Sequence, residues 1–148
     1  MKRVAGWIVL AGVMLLAVVQ ILPFGRDHAN PSVRKEPQWD TPETRELAVR
    51  ACFDCHSNQT RYPWYSYVAP ASWLVNKDID EARSKMNFSE WDLIQREAMA
   101  APEEIEKGNM PLPVYLPLHP EAWLSAEEKA ELIHGIEATF AADRPRRR

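Results

Sequence analysis

The sequence predicts an all-α protein: one apolar N-terminal helix followed by a small helical domain with long irregular loops. Three observations carry that expectation. The first 25 residues are almost wholly apolar and do not suit a soluble core. Apolar residues in the body recur at helical spacing, and no run alternates with period two. The 12 prolines gather mostly in 31–42 and 102–120, which limits helix there.

The N-terminal run extends from Val4 to Leu22 and is broken only by Gln20. As a helix it would span about 28 Å, close to the thickness of bilayer hydrocarbon. Lys2 and Arg3 precede it, so the positive-inside rule keeps the N-terminus in the cytoplasm and sends the body across. Trp7 and Phe24 are spaced to sit near the two interfaces. A cleaved signal peptide is the alternative, but no Ala-x-Ala site follows the run. Both readings put the body on the same side of the membrane.

The body divides into a linker (26–40), a domain (41–142) and a basic tail (143–148), after an anchor of residues 1–25. Thr41-Pro42-Glu43 is a helix start, with Thr41 as N-cap and Pro42 at the first helical position. That helix should run through Leu47, Ala48 and Ala51 into Cys52. A second is expected from about Ser72 to Lys85. A third should start at Ser89 and carry Trp91, Leu93, Ile94 and Met99 until Pro102 interrupts it. Glu103 to Lys107 add a turn closed by Gly108. Pro111, Pro113, Pro117 and Pro120 make 109–120 an extended loop. The last helix begins at Ser125, with Glu128 completing a capping box and Leu132, Ile133, Ile136 and Phe140 on one apolar face.

Net charge is −3, but residues 30–142 hold 11 Lys and Arg against 19 Asp and Glu. The basic residues concentrate at the two ends, and the tail after Ala142 is expected to be a solvated end. An acidic body argues against nucleic acid as partner. It suits a redox protein with a basic docking face, and it also serves solubility alone.

The chemistry lies in Cys52-Phe53-Asp54-Cys55-His56, a CxxCH sequence that holds both cysteines of the chain. This is the attachment signature of c-type haem. Two thiols three positions apart at a helix end reach two vinyl groups on one porphyrin edge, and the next residue offers an imidazole to the iron. The rivals are zinc, thiol redox exchange and a plain disulfide. Zinc wants four ligands, so His119 or His134 would have to complete the set. A thiol oxidoreductase wants a strand before the motif and a βαβ pattern after it. A disulfide leaves His56 unexplained.

For the distal ligand the candidates are Met86, Met99, Met110, His28, His119 and His134. Met110 is preferred: it sits in Gly108-Asn109-Met110-Pro111, on chain stiffened by proline just before the last helix. A thioether opposite a histidine raises the haem potential. His119 is second and would give a lower potential. An open distal position, which would admit small ligands, is the third possibility. The aromatic run 62–73 is expected to wall the haem, with Arg61, Tyr65 and Trp73 able to reach its propionates. Ordinary core and turn packing explains those three residues as well.

Cys52 to Asn58, Pro63-Trp64-Tyr65-Ser66, Asn87 to Trp91, Met110 to Tyr115 and His119-Pro120 together resemble the bacterial haem-binding domain family, over about residues 30–142. That resemblance implies one covalent haem on Cys52 and Cys55, His56 as proximal ligand, and a domain facing the periplasm from the inner membrane. It implies no reaction. A looser similarity to mono-haem cytochromes c suggests a small cytochrome c-like helical domain around the haem, from which the aromatic insert after His56 departs. The function expected is one-electron transfer with His56 and Met110 holding the iron. A haem enzyme, or a gas or peroxide sensor with an open or His119-occupied distal position, is the alternative.

Overall fold

In the computed structural model, residues 2–147 are described; Met1 of the expected anchor and Arg148 of the basic tail lie outside them. The fold is all-helical, as expected. Among the described residues six α-helices alternate with short 3₁₀ turns, and the only β pairings are the isolated bridges Lys35–Glu90 and Ile94–Arg146. By its internal contacts the chain forms two units, Met1–Ala29 with Tyr62–Asp78, and Asn30–Arg61 with Ile79–Arg148.

The first unit holds helix α1 (Lys2–Val19), none of whose residues is buried. It is long and apolar enough to cross a membrane. Just past its end, the Gln20 amide donates to Ala69 O (3.0 Å) and accepts from Ala69 N (2.9 Å). Gly25, at φ +65°, lets the chain pass against the backbone of Ser72 and Trp73; a Cβ there would lie 2.6 Å from Ser72 O. His28 packs between Tyr62 and Tyr67, with ring centroids 4.3 and 4.2 Å away, and its Nε2 donates to Ser66 O. A 3₁₀ turn over Trp64–Tyr67 completes this unit, together with the start of α4 (Ala71–Lys85).

The second unit holds the core. Helix α2 (Pro42–Ala51) starts as predicted, with Thr41 Oγ1 accepting from Thr44 N at 3.1 Å. A single helical turn, α3 (Phe53–His56), follows directly. Helix α6 (Ala126–Ala142) opens with the predicted capping box between Ser125 and Glu128. Its Leu132, Ile136 and Phe140 join Leu47, Phe53, Phe88 and Trp91 in one buried cluster, with Ile133 at its edge.

Two expectations fail here. No helix forms from Ser89, because the polar groups of that segment are used elsewhere. Ser89 N–H donates to Asn87 Oδ1, Ser89 Oγ accepts from Asn58 N, Trp91 N–H donates to Lys35 O, and Gln95 N–H donates to Arg146 O. Leu93, Ile94 and Met99 are left exposed. Pro102 starts a helix rather than interrupting one: it sits in the first turn of α5 (Ala101–Glu106), where its missing N–H costs nothing. The tail is partly tied down. Arg144, Arg146 and Arg147 are exposed, but Arg146 O accepts from Gln95 and its guanidinium donates to Asp92 O.

The irregular segment before α2 is held by Glu36, which receives two hydrogen bonds from Arg45 (2.7 and 2.8 Å) and one from Trp39 Nε1 (2.9 Å). The Arg45 guanidinium, helped by the indole, holds this carboxyl below its ordinary value despite partial burial. Folding therefore favours the ionised form. The stabilisation is complete above the ordinary carboxylate pKa and is lost as pH falls through the lowered folded value. Glu36→Gln should cost about 1 kcal/mol at neutral pH, Arg45 being half exposed. Urea midpoints of wild type and variant should converge as pH drops below the carboxylate range.

Candidate functional site

Cys52 caps α2, its N–H donating to Ala48 O at 2.8 Å. Its own carbonyl accepts from both Cys55 N (3.1 Å) and His56 N (2.8 Å), which closes α3 into one turn. In a helical turn, positions i, i+3 and i+4 share a face. Cys52, Cys55 and His56 are thus presented together, while Phe53 and Asp54 turn away. Phe53 packs into the core against Phe88, with ring centroids 5.5 Å apart.

Cys52 and Cys55 are both thiols, with no disulfide between them. Burial pushes Cys52 up to about 12, and the neighbouring Cys55 adds to the shift. This is the opposite of the low-pKa thiolate that disulfide exchange needs, and among the described residues no strand precedes the motif. Nor do the donor atoms of Cys52, Cys55 and His56 gather as a metal set. The one such group among the described residues is Asp54, His119 and Glu121, with atoms within 4.8 Å of one another.

His56 is oriented by backbone. Its Nδ1 lies 3.0 Å from Met86 O, and a carbonyl only accepts, so Nδ1 carries the proton and Nε2 keeps its lone pair. Burial lowers the His56 pKa, with Lys85 adding, while the carbonyls of Met86 and Ala82 oppose the shift. The imidazole is therefore neutral. The segment that orients it is itself attached to the motif: Phe88 N–H donates to His56 O (2.8 Å) and Arg83 Nε to Ser57 O (2.9 Å). Two thiols not joined in a disulfide and a neutral imidazole with a defined tautomer, on one helical face, are the donor set that a covalent haem requires. The residues present fit the group.

The other expected residues are distributed as follows. Met110 is half-buried, packs against the edge of the core as Cys52 does, and donates its N–H to Glu104 O. Arg61 is turned to Asp54, which accepts from its backbone N–H and twice from its guanidinium. Tyr65 and Trp73 belong to the first unit. Tyr65 meets Trp64 edge-on, and Trp73 Nε1 is buried without a hydrogen-bond partner among the described residues. His134 is exposed.

Asp54 and Glu121 were not foreseen as site residues. Tyr115 Oη donates to Asp54 at 2.7 Å, and its ring stacks on His119 at 3.7 Å. Burial first, and the bond to Asp54 second, raise the Tyr115 pKa, so the phenol stays protonated. His119 is buried, with Nδ1 3.4 Å from Glu121. The proline-rich loop thus brings a phenol and an imidazole to Asp54, inside the motif. Nothing in the sequence signals a contact spanning 61 positions; only the i, i+4 spacing of Tyr115 and His119 hints that their rings stack.

Comparison with known proteins adds one finding. A family model described as a haem-binding domain matches residues 14–138. No curated protein and no solved structure matches the chain.

Proposed function

The chain belongs to the haem-binding domain family, and on that premise we propose that it is a c-type haem protein acting as a one-electron carrier, tethered by α1 with its haem domain on the periplasmic side of the inner membrane. The observation that carries this reading is the shared helical face of two thiols not joined in a disulfide and an oriented, neutral His56. Cys52 and Cys55 would each hold one vinyl carbon of the haem through a thioether, the thiol hydrogen passing to the other carbon, so attachment would need no oxidant. His56 would offer Nε2 to the iron, and the bond from Nδ1 to Met86 O holds the ring in place. Met110 is the proposed distal ligand. A bound haem supplies a one-electron iron couple, whose potential a thioether ligand raises. The acidic body suits a redox partner with a basic docking face.

A second reading is favoured by the buried His119 beside Tyr115 and Asp54. There, His119 occupies or serves the distal side, and the domain is a sensor or enzyme. Spectra of the haem-loaded protein separate the two. Met110→Ala should lose the weak band at the red edge of the visible spectrum typical of Met–iron bonds and should bind carbon monoxide, whereas His119→Ala should change neither. The reverse pattern assigns the distal side to His119.

A further inference from the structure

The first unit exposes large apolar and aromatic side chains beyond the end of α1: Phe24 (70 % exposed), Trp64 (76 %), Tyr67 (57 %), Val68 (45 %) and Leu74 (52 %). Exposed side chains of this size are ordinary when scattered and informative when gathered. These are gathered by specific contacts. Gln20, the first residue past α1, bonds both backbone groups of Ala69, which fixes the turn carrying Trp64, Tyr67 and Val68 to the end of α1. Gly25 packs on the Ser72–Trp73 backbone and so places the start of α4, with Leu74, against the same stretch of chain. The 18 residues of α1 give about 27 Å of helix against about 30 Å of bilayer hydrocarbon, so Gln20 falls at the boundary whichever way the helix inserts.

We infer that the turn Trp64–Val68, with Phe24 and Leu74, is a membrane-interface collar that lies in the headgroup layer of the bilayer α1 crosses. The chemistry of the patch suits that layer. Trp and Tyr rings prefer it because one end is apolar and the other hydrogen-bonds to water or headgroups. Lys77 is exposed one helical turn beyond Leu74, where its stem can cover apolar surface while the ammonium reaches lipid phosphate. Arg26 is also exposed and lies against Gln20; the acids of this unit are Asp27, beside Arg26 in the chain, and Asp78, beside Lys77. The inference rests on the reading of α1 as a membrane span, and it is independent of the haem.

Photo-crosslinking of the full, haem-loaded chain in phosphatidylethanolamine–phosphatidylglycerol nanodiscs tests it. Benzoylphenylalanine replaces Trp64 or, in a second variant, Tyr67; a third variant carries it at Trp7 within α1. Each variant is taken forward with an unchanged circular dichroism spectrum, and Tyr67 serves if the Trp64 variant fails to fold. Phospholipid adducts at 64 or 67 in yield comparable to position 7 are expected. Adducts at 7 with none at 64 and 67, or crosslinks there to a second copy or another protein, overturn the collar and leave the anchor standing. No lipid adduct at 7 overturns the anchor and the collar with it.

Discussion

Gly135→Val is expected to destabilise the second unit by about 3 kcal/mol, the upper end for overpacking a filled core. A Cβ at Gly135 would lie 2.0 Å from Thr44 Oγ1 and 2.6 Å from its Cγ2. Thr44 cannot swing aside freely, because it is buried in the first turn of α2 and shares a 3.0 Å hydrogen bond with the cap residue Thr41. Helix propensity works the other way, since replacing a helical glycine gains up to about 1 kcal/mol. The clash is larger, so the loss wins. At about 4 °C per kcal/mol the midpoint should fall by about 12 °C. Thr44→Ala in the Gly135→Val background should recover part of the loss, which thermal unfolding of the four proteins in the cycle would measure. The contact matters for function because α2 leads straight into Cys52.

His56→Ala is expected to abolish the low-spin haem spectrum while leaving the haem attached through Cys52 and Cys55. Loss of the axial ligand should make the iron high-spin and open to carbon monoxide. Added imidazole should restore the low-spin spectrum if the side chain acts as a ligand. If it acts only as a fold element through its bond to Met86 O, imidazole should restore nothing. The two outcomes are read in one titration.

The parts of the fold legible in the sequence are those with local signals. Thr41-Pro42 and Ser125 with Glu128 start α2 and α6 where expected, because a cap needs only residues within one turn. Ser89 carries the same kind of signal and misleads. Its hydroxyl accepts from Asn58, 31 positions earlier in the chain, and a non-local partner leaves no trace in local pattern. Pro102 misleads in the opposite direction, since a proline that would break a helix interior is favourable in a first turn.

The site divides in the same way. The CxxCH face is legible because one turn of helix fixes it. What orients His56 is a backbone carbonyl, and every residue carries one, so Met86 could not be singled out for that role. The Asp54–Tyr115–His119 arrangement depends on how the proline-rich loop returns to α3, a question of tertiary packing. Arg61 illustrates the difference: read alone it is a cation free for propionates, whereas in the fold its guanidinium is engaged by Asp54.

The central claim is covalent attachment at Cys52 and Cys55, and the intact mass of the full chain after acid–acetone extraction tests it most directly. Wild type, made with haem-maturation machinery, should retain the added mass of one haem, and the Cys52→Ala/Cys55→Ala double variant should retain none. Complete loss of haem from wild type on extraction, or retention by the double variant, would contradict the account.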